Sequence, residues 1–423
     1  MTTRLYGIVW RWHFLAGLAV CPVLVVLALT GAAFSFGDEI ERGLKSDLFY
    51  VEPAPGGVSA RLPLDKLAAA VPAGCTPQAV MVAPEADRSV IVPCNPVDEV
   101  QHRWFVDPYR GTPIGSDVYS RTLIGVVFQL HWDLILGETG RLVVEWATSW
   151  GVLLMLSGAY LWWPRGKRAG TWWPRRDIAG RQRIRDLHAV AGAYVVPVLL
   201  AIAATGLCWT ALAGEQRWER INDDAAHETW HHPPSSTVVA KPRIGVDAAL
   251  VAAGIDIVHE RRAFFILLPA TPEAAYTVYG YSVGHGTPSA ARSTWIDAYS
   301  GTLLKHYGWA EHSTMGAVSN VLYSIHVGSI AGLPGRIAAL VAALLLTWLC
   351  VTGPWMWFKR RPRGGLGVPP RAKRTPWPLF GLWAVVGYLL PTVGITIIVV
   401  GVLELAIWSV RRWRAGRGDE TPA

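Results

Sequence analysis

The sequence predicts an α-helical membrane bundle with an internal duplication: four core transmembrane helices, a C-terminal apolar helix or hairpin, and two small α+β lobes outside the membrane. Three observations predict this fold class. Hydrophobic residues make up 52% of the chain and charged residues only 17%, a balance typical of membrane proteins. Residues of the first half recur in order in the second half. The segments between the helices contain the short β-branched and aromatic runs that strands prefer.

Four apolar stretches are long enough to span a bilayer, because crossing roughly 30 Å of hydrocarbon takes about 20 helical residues. They cover about 9–36, 141–163, 187–212 and 336–358. A fifth apolar region is short for two crossings, whereas a single crossing would leave its basic tail outside. A hairpin that turns near Pro391 would remove this conflict, and the sequence leaves the topology of this region open.

Basic residues predict the orientation, because loops rich in Lys and Arg stay in the cytoplasm. Two connecting loops are strongly basic, whereas the two long segments carry more acids than bases, so the N-terminus is expected in the cytoplasm and the long segments outside. The net charge of +8 is thus a signal of topology, and it requires no nucleic-acid partner. In chain order the predicted segments are transmembrane helix 1 at 1–36, lobe 1 at 37–120, helix 2 with a preceding outer histidine segment at 121–163, a basic loop at 164–186, helix 3 at 187–213, lobe 2 at 214–317, helix 4 with its histidine segment at 318–358, a basic loop at 359–376, the C-terminal transmembrane region at 377–410 and a basic tail at 411–423.

The duplication is visible as three blocks that repeat at offsets of 175, 190 and 195 positions. Each half therefore consists of a helix, an outer lobe and a second helix. The aligned residues are His13, Ala16, Gly17, Pro22, Thr30 and Gly31 with His188, Ala191, Gly192, Pro197, Thr205 and Gly206; Asp107, Tyr109 and Gly111 with Asp297, Tyr299 and Gly301; and His131, Gly137, Gly140, Arg141, Ser157, Gly158 and Trp162 with His326, Gly332, Gly335, Arg336, Thr352, Gly353 and Trp357.

The lobes are expected to contain short strands, and each Asp-x-Tyr-x-Gly-Thr stretch is expected to form a hairpin turn with glycine at positive φ. Two cysteines, Cys75 and Cys94, lie in the first lobe, where an oxidising compartment would permit a disulfide. Sequence spacing does not show whether their side chains meet, so this pairing stays open. The expected strands are 79–83, 89–93, 103–107, 263–268, 276–281 and 294–297.

These motifs together resemble the PepSY-associated transmembrane family, which includes inner-membrane ferric-siderophore reductases. The resemblance covers nearly the whole chain. It implies a multi-pass protein of the bacterial inner membrane with two periplasmic PepSY-like lobes. One departure is Thr139, where family members usually have Pro. The motifs that carry the resemblance are Trp10-Arg11-Trp12-His13 with Ala16-Gly17, Pro22 and Leu29-Thr30-Gly31; the paired Asp-x-Tyr-x-Gly stretches; Leu130-His131 with Leu136-Gly137-Glu138-Thr139-Gly140-Arg141; and Ile325-His326-Val327-Gly328 with Gly332-Leu333-Pro334-Gly335-Arg336.

Four histidines occupy the duplicated positions at the rims of the predicted spans. Ionisable residues within a membrane bundle are costly, so they indicate function. Equivalent residues of a duplication share a depth. We therefore expect His13 to face His188 near the cytoplasm and His131 to face His326 near the periplasm.

Two opposed imidazoles at one depth can bind both faces of a haem, and helical bundles commonly hold cofactors in this way. The sequence therefore predicts two haems of the b type, with one haem or none as the alternatives. No Cys-x-x-Cys-His motif provides covalent attachment. Arg141 and Arg336 could pair with haem propionates, because a guanidinium matches a carboxylate. Equally, they could be interfacial charges that mark the start of a span.

Two further groups of polar side chains lie in the second lobe. His227, His231 and His232 are best interpreted as a solvated turn, since two prolines follow at once. A collar of aromatic and polar residues lies just before the helix that carries His326, and a substrate could approach the outer haem there. This collar consists of His306, Tyr307, Trp309 and His312.

The resemblance, together with the paired histidines, implies a haem-dependent ferric-siderophore reductase, which transfers single electrons to a periplasmic ferric-siderophore and releases ferrous iron. No Gly-x-Gly-x-x-Gly follows a strand, so nothing marks a nicotinamide or flavin site. The electrons would come from a separate cytoplasmic reductase or from the quinol pool. Two alternatives stay open: a quinol-linked cytochrome b that serves another periplasmic acceptor, and a non-enzymatic PepSY module that binds protein partners.

Overall fold

The computed structural model describes residues 2–96, 100–164, 170–215, 233–255, 263–280, 292–362, 367–369 and 377–417. The cluster of His227, His231 and His232 lies outside these described residues. The chain separates into two compact units, each assembled from stretches that are distant in the sequence. The helical unit comprises Met1–Ala28, Trp132–Trp218 and Leu344–Ala423, and the sheet unit comprises Leu29–His131 and Glu219–Ala343.

Helices account for most of the described chain. Their order follows the predicted duplication, with the long helices flanking two regions of strands. The described helices are α1 (Thr2–Ser35), α2 (Gly37–Leu44), α3 (Ser46–Phe49), α4 (Leu64–Ala68), α5 (Leu123–Asp133), α6 (Gly137–Trp162), α7 (Gly180–Gly206), α8 (Val246–Ala252), α9 (Thr314–His326), α10 (Leu333–Arg360), α11 (Pro378–Leu389) and α12 (Pro391–Arg417).

Five described helices are long and apolar enough to cross a membrane, and the first four match the four predicted core stretches. The third begins at Gly180, earlier than expected, because its basic first turns are good helix formers. Asp186 is buried there and accepts hydrogen bonds from Arg175 at 2.8 Å and Arg185 at 3.0 Å. The five spans are Leu5–Ser35, Gly137–Trp162, Gly180–Trp209, Leu333–Arg360 and Pro391–Val410.

The C-terminal apolar region forms a helical hairpin. Helix α11 ends at Leu389, and α12 begins at Pro391, which cannot continue a helix from the preceding turn. A Cβ added to Gly387 would lie 3.0 Å from the Cα of Gly394. Residues seven apart on one straight helix would be separated by about 10 Å. The chain therefore reverses at Leu390, and the glycines let the two legs touch.

A buried cluster from α1, α6, α10 and α12 forms the core of the helical unit. The ring of Trp12 stacks on Trp150 at 6.0 Å between centroids and lies 5.4 Å from the ring of Trp383. The hairpin thus packs on α1 and α6 as part of the same unit. The buried members of the cluster are Val20, Cys21, Leu24, Ala147, Trp150, Cys350 and Val393.

The sheet unit contains one antiparallel sheet with the strand order β5-β4-β3-β2-β6-β7-β8-β9, and β1 pairs with β3. All six strands predicted from the sequence are present within one or two residues at most ends. Strands β1, β5 and β9 had not been predicted. The described strands are β1 (Cys75–Pro77), β2 (Ala79–Val82), β3 (Val90–Pro96), β4 (His102–Val106), β5 (Pro113–Asp117), β6 (Phe264–Leu267), β7 (Tyr276–Gly280), β8 (Ser293–Ile296) and β9 (Leu303–Tyr307).

The two predicted lobes are joined, because the strands of both halves form a single sheet. Strand β2 pairs with β6 in an antiparallel register from Ala79–Leu267 to Val82–Phe264. One buried core extends across both halves, with Val80, Leu250 and Ile266 at 1% exposure or less. Each small lobe alone would leave an unpaired edge strand and a core too small to be stable, so joining the halves removes both costs.

The two halves also exchange helix caps. The Asp65 carboxylate accepts a hydrogen bond from the N–H of Val246, at the start of α8, at 2.8 Å. The Asp247 carboxylate accepts from the N–H groups of Leu64 and Asp65, at the start of α4, at 3.1 and 3.2 Å. At the start of each short helix, an aspartate of the other half therefore accepts from one or two of the N–H groups that have no partner within the helix.

The two Asp-x-Tyr-x-Gly stretches form the predicted hairpin turns. Gly111 joins β4 to β5 at a φ of 68°, and Gly301 joins β8 to β9 at a φ of 73°, a region that favours glycine. In each turn the aspartate side chain accepts from the backbone N–H of the tyrosine two residues later, at 2.8 Å for Asp107 and 2.9 Å for Asp297. The same turn geometry occurs in both halves, so these aspartates, tyrosines and glycines have a structural role.

A disulfide joins Cys75 of β1 to Cys94 of β3, with a Cα–Cα distance of 5.6 Å. The sequence had left this pairing open. Strand β1 is only three residues long, and its register places Pro77 opposite Cys94. The bond therefore fixes a short edge strand that has few hydrogen bonds of its own.

Candidate functional site

The sheet unit brings His131 and His326 together. His131 lies near the end of α5 and His326 at the end of α9, the two helices that precede the second and fourth spans. Their ring centroids are 6.2 Å apart, with 42° between the ring planes. Both side chains are half-buried. The predicted facing of this pair is therefore present in the structure.

His131 rests on α1 at the step Thr30-Gly31. Its Nδ1 forms a hydrogen bond with the Thr30 hydroxyl at 3.2 Å. A Cβ added to Gly31 would lie only 2.8 Å from the Cε1 of His131. The missing side chain of Gly31 thus provides the room in which the imidazole ring lies.

The two histidines of the helical unit rest on neighbouring helices in the same manner. His13 of α1 forms an Nδ1 hydrogen bond with the Ser157 hydroxyl at 2.9 Å. A Cβ on Gly158, the next residue of α6, would lie 3.2 Å from the Cε1 of His13. Ser157 also donates its hydroxyl proton to the carbonyl oxygen of Leu154 at 3.1 Å.

His188 repeats this arrangement on α10. Its Nδ1 forms a hydrogen bond with the Thr352 hydroxyl at 2.8 Å, and a Cβ on Gly353 would lie 3.7 Å from its Cε1. Thr352 donates its own proton to the carbonyl oxygen of Trp348 at 2.8 Å. His13 and His188 are close enough for their imidazole groups to interact electrostatically.

The hydroxyl bonds select one tautomer of the inner histidines. Because the protons of Ser157 and Thr352 are directed to backbone carbonyls, their oxygens accept the Nδ1–H of His13 and His188. The lone pair of each imidazole is then on Nε2. This is the form in which histidine binds a metal, with the other ring nitrogen held by a hydrogen bond.

A family comparison covers all four of these histidines. The model of the PepSY-associated TM region matches residues 10–360. The chain belongs to the PepSY-associated transmembrane family. No curated protein matches the chain closely enough to count as a relative. The hairpin of α11 and α12 lies beyond the residues that the family model matches.

In this PepSY-associated protein, the pair of His131 and His326 is a donor set that would fit haem iron. An imidazole nitrogen lies about 2 Å from a metal ion, so two ring centres on opposite faces of one iron are roughly 6 Å apart. The rings of His131 and His326 have a centroid spacing of 6.2 Å. Within the described residues no three His, Cys, Asp or Glu side chains form a cluster of the kind that holds a bare metal ion.

Each half of the protein uses Ser or Thr followed by Gly as the surface on which a histidine rests, and the sequence analysis missed this role. It had identified Thr30-Gly31, Ser157-Gly158 and Thr352-Gly353 only as landmarks of the repeat. Thr205-Gly206 is the fourth such pair by the same alignment. A signal was available, because a small residue beside a hydroxyl recurs once for every histidine.

The two arginines proposed for haem propionates have protein partners. Arg336 is buried and donates to both carboxylate oxygens of Glu39, at 2.8 and 2.9 Å, and to the carbonyl oxygen of Ser35. Arg141 lies 3.4 Å from Glu138 and 5.0 Å from the centre of the Trp132 ring. Arg336 therefore ties the start of α10 to the end of α1, which gives it a structural task.

The predicted substrate collar begins in the last strand of the sheet unit, β9, and continues beyond it. His306 Nδ1 forms a hydrogen bond with the Thr294 hydroxyl at 2.8 Å, and Tyr307 is buried. Trp309 is 38% exposed, and its ring lies 6.2 Å from that of His312. Trp309 and His312 are thus neighbours at the surface, whereas Tyr307 belongs to the sheet packing.

Proposed function

We propose that this chain is a di-haem b-type electron-transfer protein of the bacterial inner membrane that reduces a periplasmic ferric-siderophore. The observation that carries the proposal is the paired histidine geometry. His131 and His326 have the spacing of two axial ligands, and His13 and His188 present Nε2 as the ligating nitrogen. Haem iron, when bound, supplies one-electron transfer.

The residues around the histidines fix the ligands in position. Ser157, Thr352 and Thr30 each hold one Nδ1, which orients the ring and raises the basicity of the other nitrogen. The glycines beside them let each ring lie against a helix backbone. A ligand held in this way does not need to reorganise when the oxidation state of its metal changes, which favours rapid electron transfer.

The proposed acceptor follows from the chemistry of ferric chelates and from the expected topology. Siderophores bind ferric iron through hard oxygen donors and hold ferrous iron much less tightly, so a one-electron reduction releases the metal. The sheet unit is assigned to the periplasm, the N-terminus to the cytoplasm, and Trp309 with His312 to the approach of the chelate. The bilayer surrounds the spans.

The acceptor is tested by anaerobic mixing. The full-length protein in detergent is reduced with one electron equivalent of dithionite per haem, so that no reductant remains, and is mixed with a ferric-siderophore while a ferrous-specific chelator traps the product. Reoxidation of the haem bands should yield one trapped ferrous ion for each electron. The gallium complex of the same siderophore is the matched control, because gallium cannot accept the electron.

Two results separate this proposal from its alternatives. Reoxidation by ferricyanide without reoxidation by any ferric-siderophore would show that the chain is a cytochrome with a different acceptor. Protein that carries no haem would favour a non-enzymatic PepSY module. Reoxidation of the haem bands by the ferric complex, with no reoxidation by the gallium complex, supports the proposed reductase.

A further inference from the structure

The span α6 contains one fully buried carboxylate, Glu145, whose exposure is 0%. It lies eight residues into the helix, inside the window that qualifies as a membrane span. Charged groups in such segments are costly and mark proton or ligand sites. The histidine pairs described above do not involve it.

Only one oxygen of Glu145 has partners. Its Oε2 accepts the N–H groups of Leu212 and Ala213, at 2.6 and 3.1 Å, in the turn that follows α7. Its Oε1 is buried and makes no hydrogen bond with the described residues. No described Lys, Arg or His forms an ion pair with it. A buried carboxylate in this condition lacks both a counter-charge and one hydrogen-bond partner.

The duplication shows that the repeated scaffold does not require this carboxylate. The offset of 195 that relates His131 to His326 places Leu340 at the equivalent position of the second half. The scaffold is thus built with an apolar side chain in one half and with Glu145 in the other. Glu145 is therefore not part of what the two halves share, and its role differs from that of the paired histidines.

Polar side chains beside Glu145 contact the C-terminal hairpin. The indole Nε1 of Trp146 donates to the Thr396 hydroxyl at 3.0 Å, and the Thr392 hydroxyl donates to Ser149 at 3.4 Å. Helix α12 also contacts the turn Ala211–Glu215 that Glu145 caps. Glu145 therefore lies where α6, this turn and a largely exposed outer helix meet.

We infer that Glu145 is the proton acceptor of a site for a membrane hydroquinone, which is the electron donor of the chain. The inference rests on the proposed function and names its donor. The hydroxyl of a hydroquinone can donate to Oε1 the hydrogen bond that this oxygen lacks. A membrane hydroquinone is dissolved in the bilayer, so it can approach a carboxylate on a membrane span. After oxidation, the protonated Oε1 can donate to the quinone carbonyl, so one carboxyl serves both redox states.

The hydroquinone loses two electrons and two protons and becomes a quinone. Haem iron, when bound, would accept these electrons one at a time, so that two ferric irons would become ferrous. The first proton of the hydroquinone moves to Oε1 of Glu145 and then to water, which frees the carboxylate for the second proton.

The test uses full-length protein in detergent and a short-chain ubiquinol as the probe. Glu145→Gln keeps a carbonyl oxygen to accept from Leu212 and Ala213 but cannot take up a proton. Glu138→Gln is the matched control, because Glu138 lies on the same helix with a side chain that is 82% exposed. Haem reduction is followed after mixing with the ubiquinol and, separately, with dithionite.

A second measurement needs no haem. Infrared difference spectra are recorded on adding the oxidised short-chain ubiquinone, with protein labelled by carbon-13 at glutamate carboxyl groups. A ligand that bonds to Glu145 should shift one protonated-carboxyl band in the wild type, and this shift should be missing in Glu145→Gln. If Glu145→Gln fails to fold, the wild type alone still tests the inference, because the absence of any carboxyl shift on adding ubiquinone would overturn it.

The outcomes are distinct. The inference expects ubiquinol reduction of Glu145→Gln to be at least ten-fold slower, with wild-type rates in Glu138→Gln and equal dithionite reduction in all three proteins. Equal ubiquinol rates in wild type and Glu145→Gln would show that Glu145 only caps the turn. Absence of haem would refute the proposed function, and the infrared shift would then decide the quinone site alone.

Discussion

At the scale of single residues, His13, His131 and His188 each rest on a hydroxyl and a glycine from another helix. Thr30 and Gly31 support His131 as Ser157 and Gly158 support His13. Such a pair is unremarkable in sequence, since small and hydroxylated residues are common in membrane helices. The duplication identified the histidines in the sequence. The residues that hold them could be identified only once the packing of the helices was known.

Gly31→Ala is expected to displace the ring of His131. The added methyl group would lie 2.8 Å from Cε1, closer than van der Waals contact allows, so the imidazole must move away from Gly31 and out of its present position opposite His326. We predict loss of one of two haems, measured as haem per polypeptide. Gly7→Ala on the same helix is the control, because its Cβ meets nothing within 4 Å.

The outcome that would contradict this prediction concerns both glycine variants. If Gly31→Ala retains both haems with an unchanged spectrum while Gly7→Ala behaves in the same way, the ring position of His131 does not matter for cofactor binding.

At the scale of secondary structure elements, the exchanged caps couple the two halves of the sheet unit. Asp65→Ala should expose the N–H of Val246, and Asp247→Ala should expose those of Leu64 and Asp65. Each loss is expected to cost about 1 kcal/mol. Hydrogen exchange should accelerate at the start of α8 in the first variant and at the start of α4 in the second.

Lys66→Ala is the control for this experiment, because Lys66 is exposed on α4. Faster exchange confined to the mutated aspartate's own helix would contradict the crossed pattern.

The turn of Asp297 should make the sheet unit sensitive to acid. Burial favours the neutral carboxyl, but the N–H groups of Ser300, Thr237 and Tyr299 outweigh it and lower the pKa of Asp297 to about 2. Because the folded pKa is below the unfolded value, this stabilisation is complete above pH of about 4 and is lost as the pH falls towards 2. It amounts to about 2 kcal/mol.

Asp297→Asn should lose this contribution at neutral pH, since an amide nitrogen cannot accept from Thr237, whose N–H lies 2.7 Å from Oδ2. Thermal unfolding of the variant should show a weaker dependence on pH between about 4 and 2. Asp47→Asn, at an exposed carboxylate of the same unit, should unfold like the wild type. An unchanged acid profile in Asp297→Asn would contradict the role of this carboxylate.

The elements differed in how well the sequence predicted them. Long apolar helices and strands such as β2 and β6 have strong patterns of their own, and they were predicted. Strands β1 and β5 contain Pro, Gly, Ser or Thr and form mainly because a neighbouring strand pairs with them. The reversal at Leu390 needed the contact between Gly387 and Gly394, which no local pattern specifies.

At the scale of the whole molecule, the duplication determines much of what is repeated and little of what joins the copies. It predicted equivalent helices, turns and histidines in both halves. It did not predict that β2 would pair with β6, because pairing of edge strands between copies depends on tertiary packing. Glu145 departs from the repeat, which is why a residue unique to one half deserves a functional test.

The most direct test of the central claim is the haem content of the purified full-length protein and of its histidine variants. The account predicts two b-type haems per chain. One haem should remain after His131→Ala or His326→Ala, one after His13→Ala or His188→Ala, and two after the control His102→Ala. Colourless protein from haem-replete cells, or two haems retained in a His131→Ala and His188→Ala double variant, would contradict it.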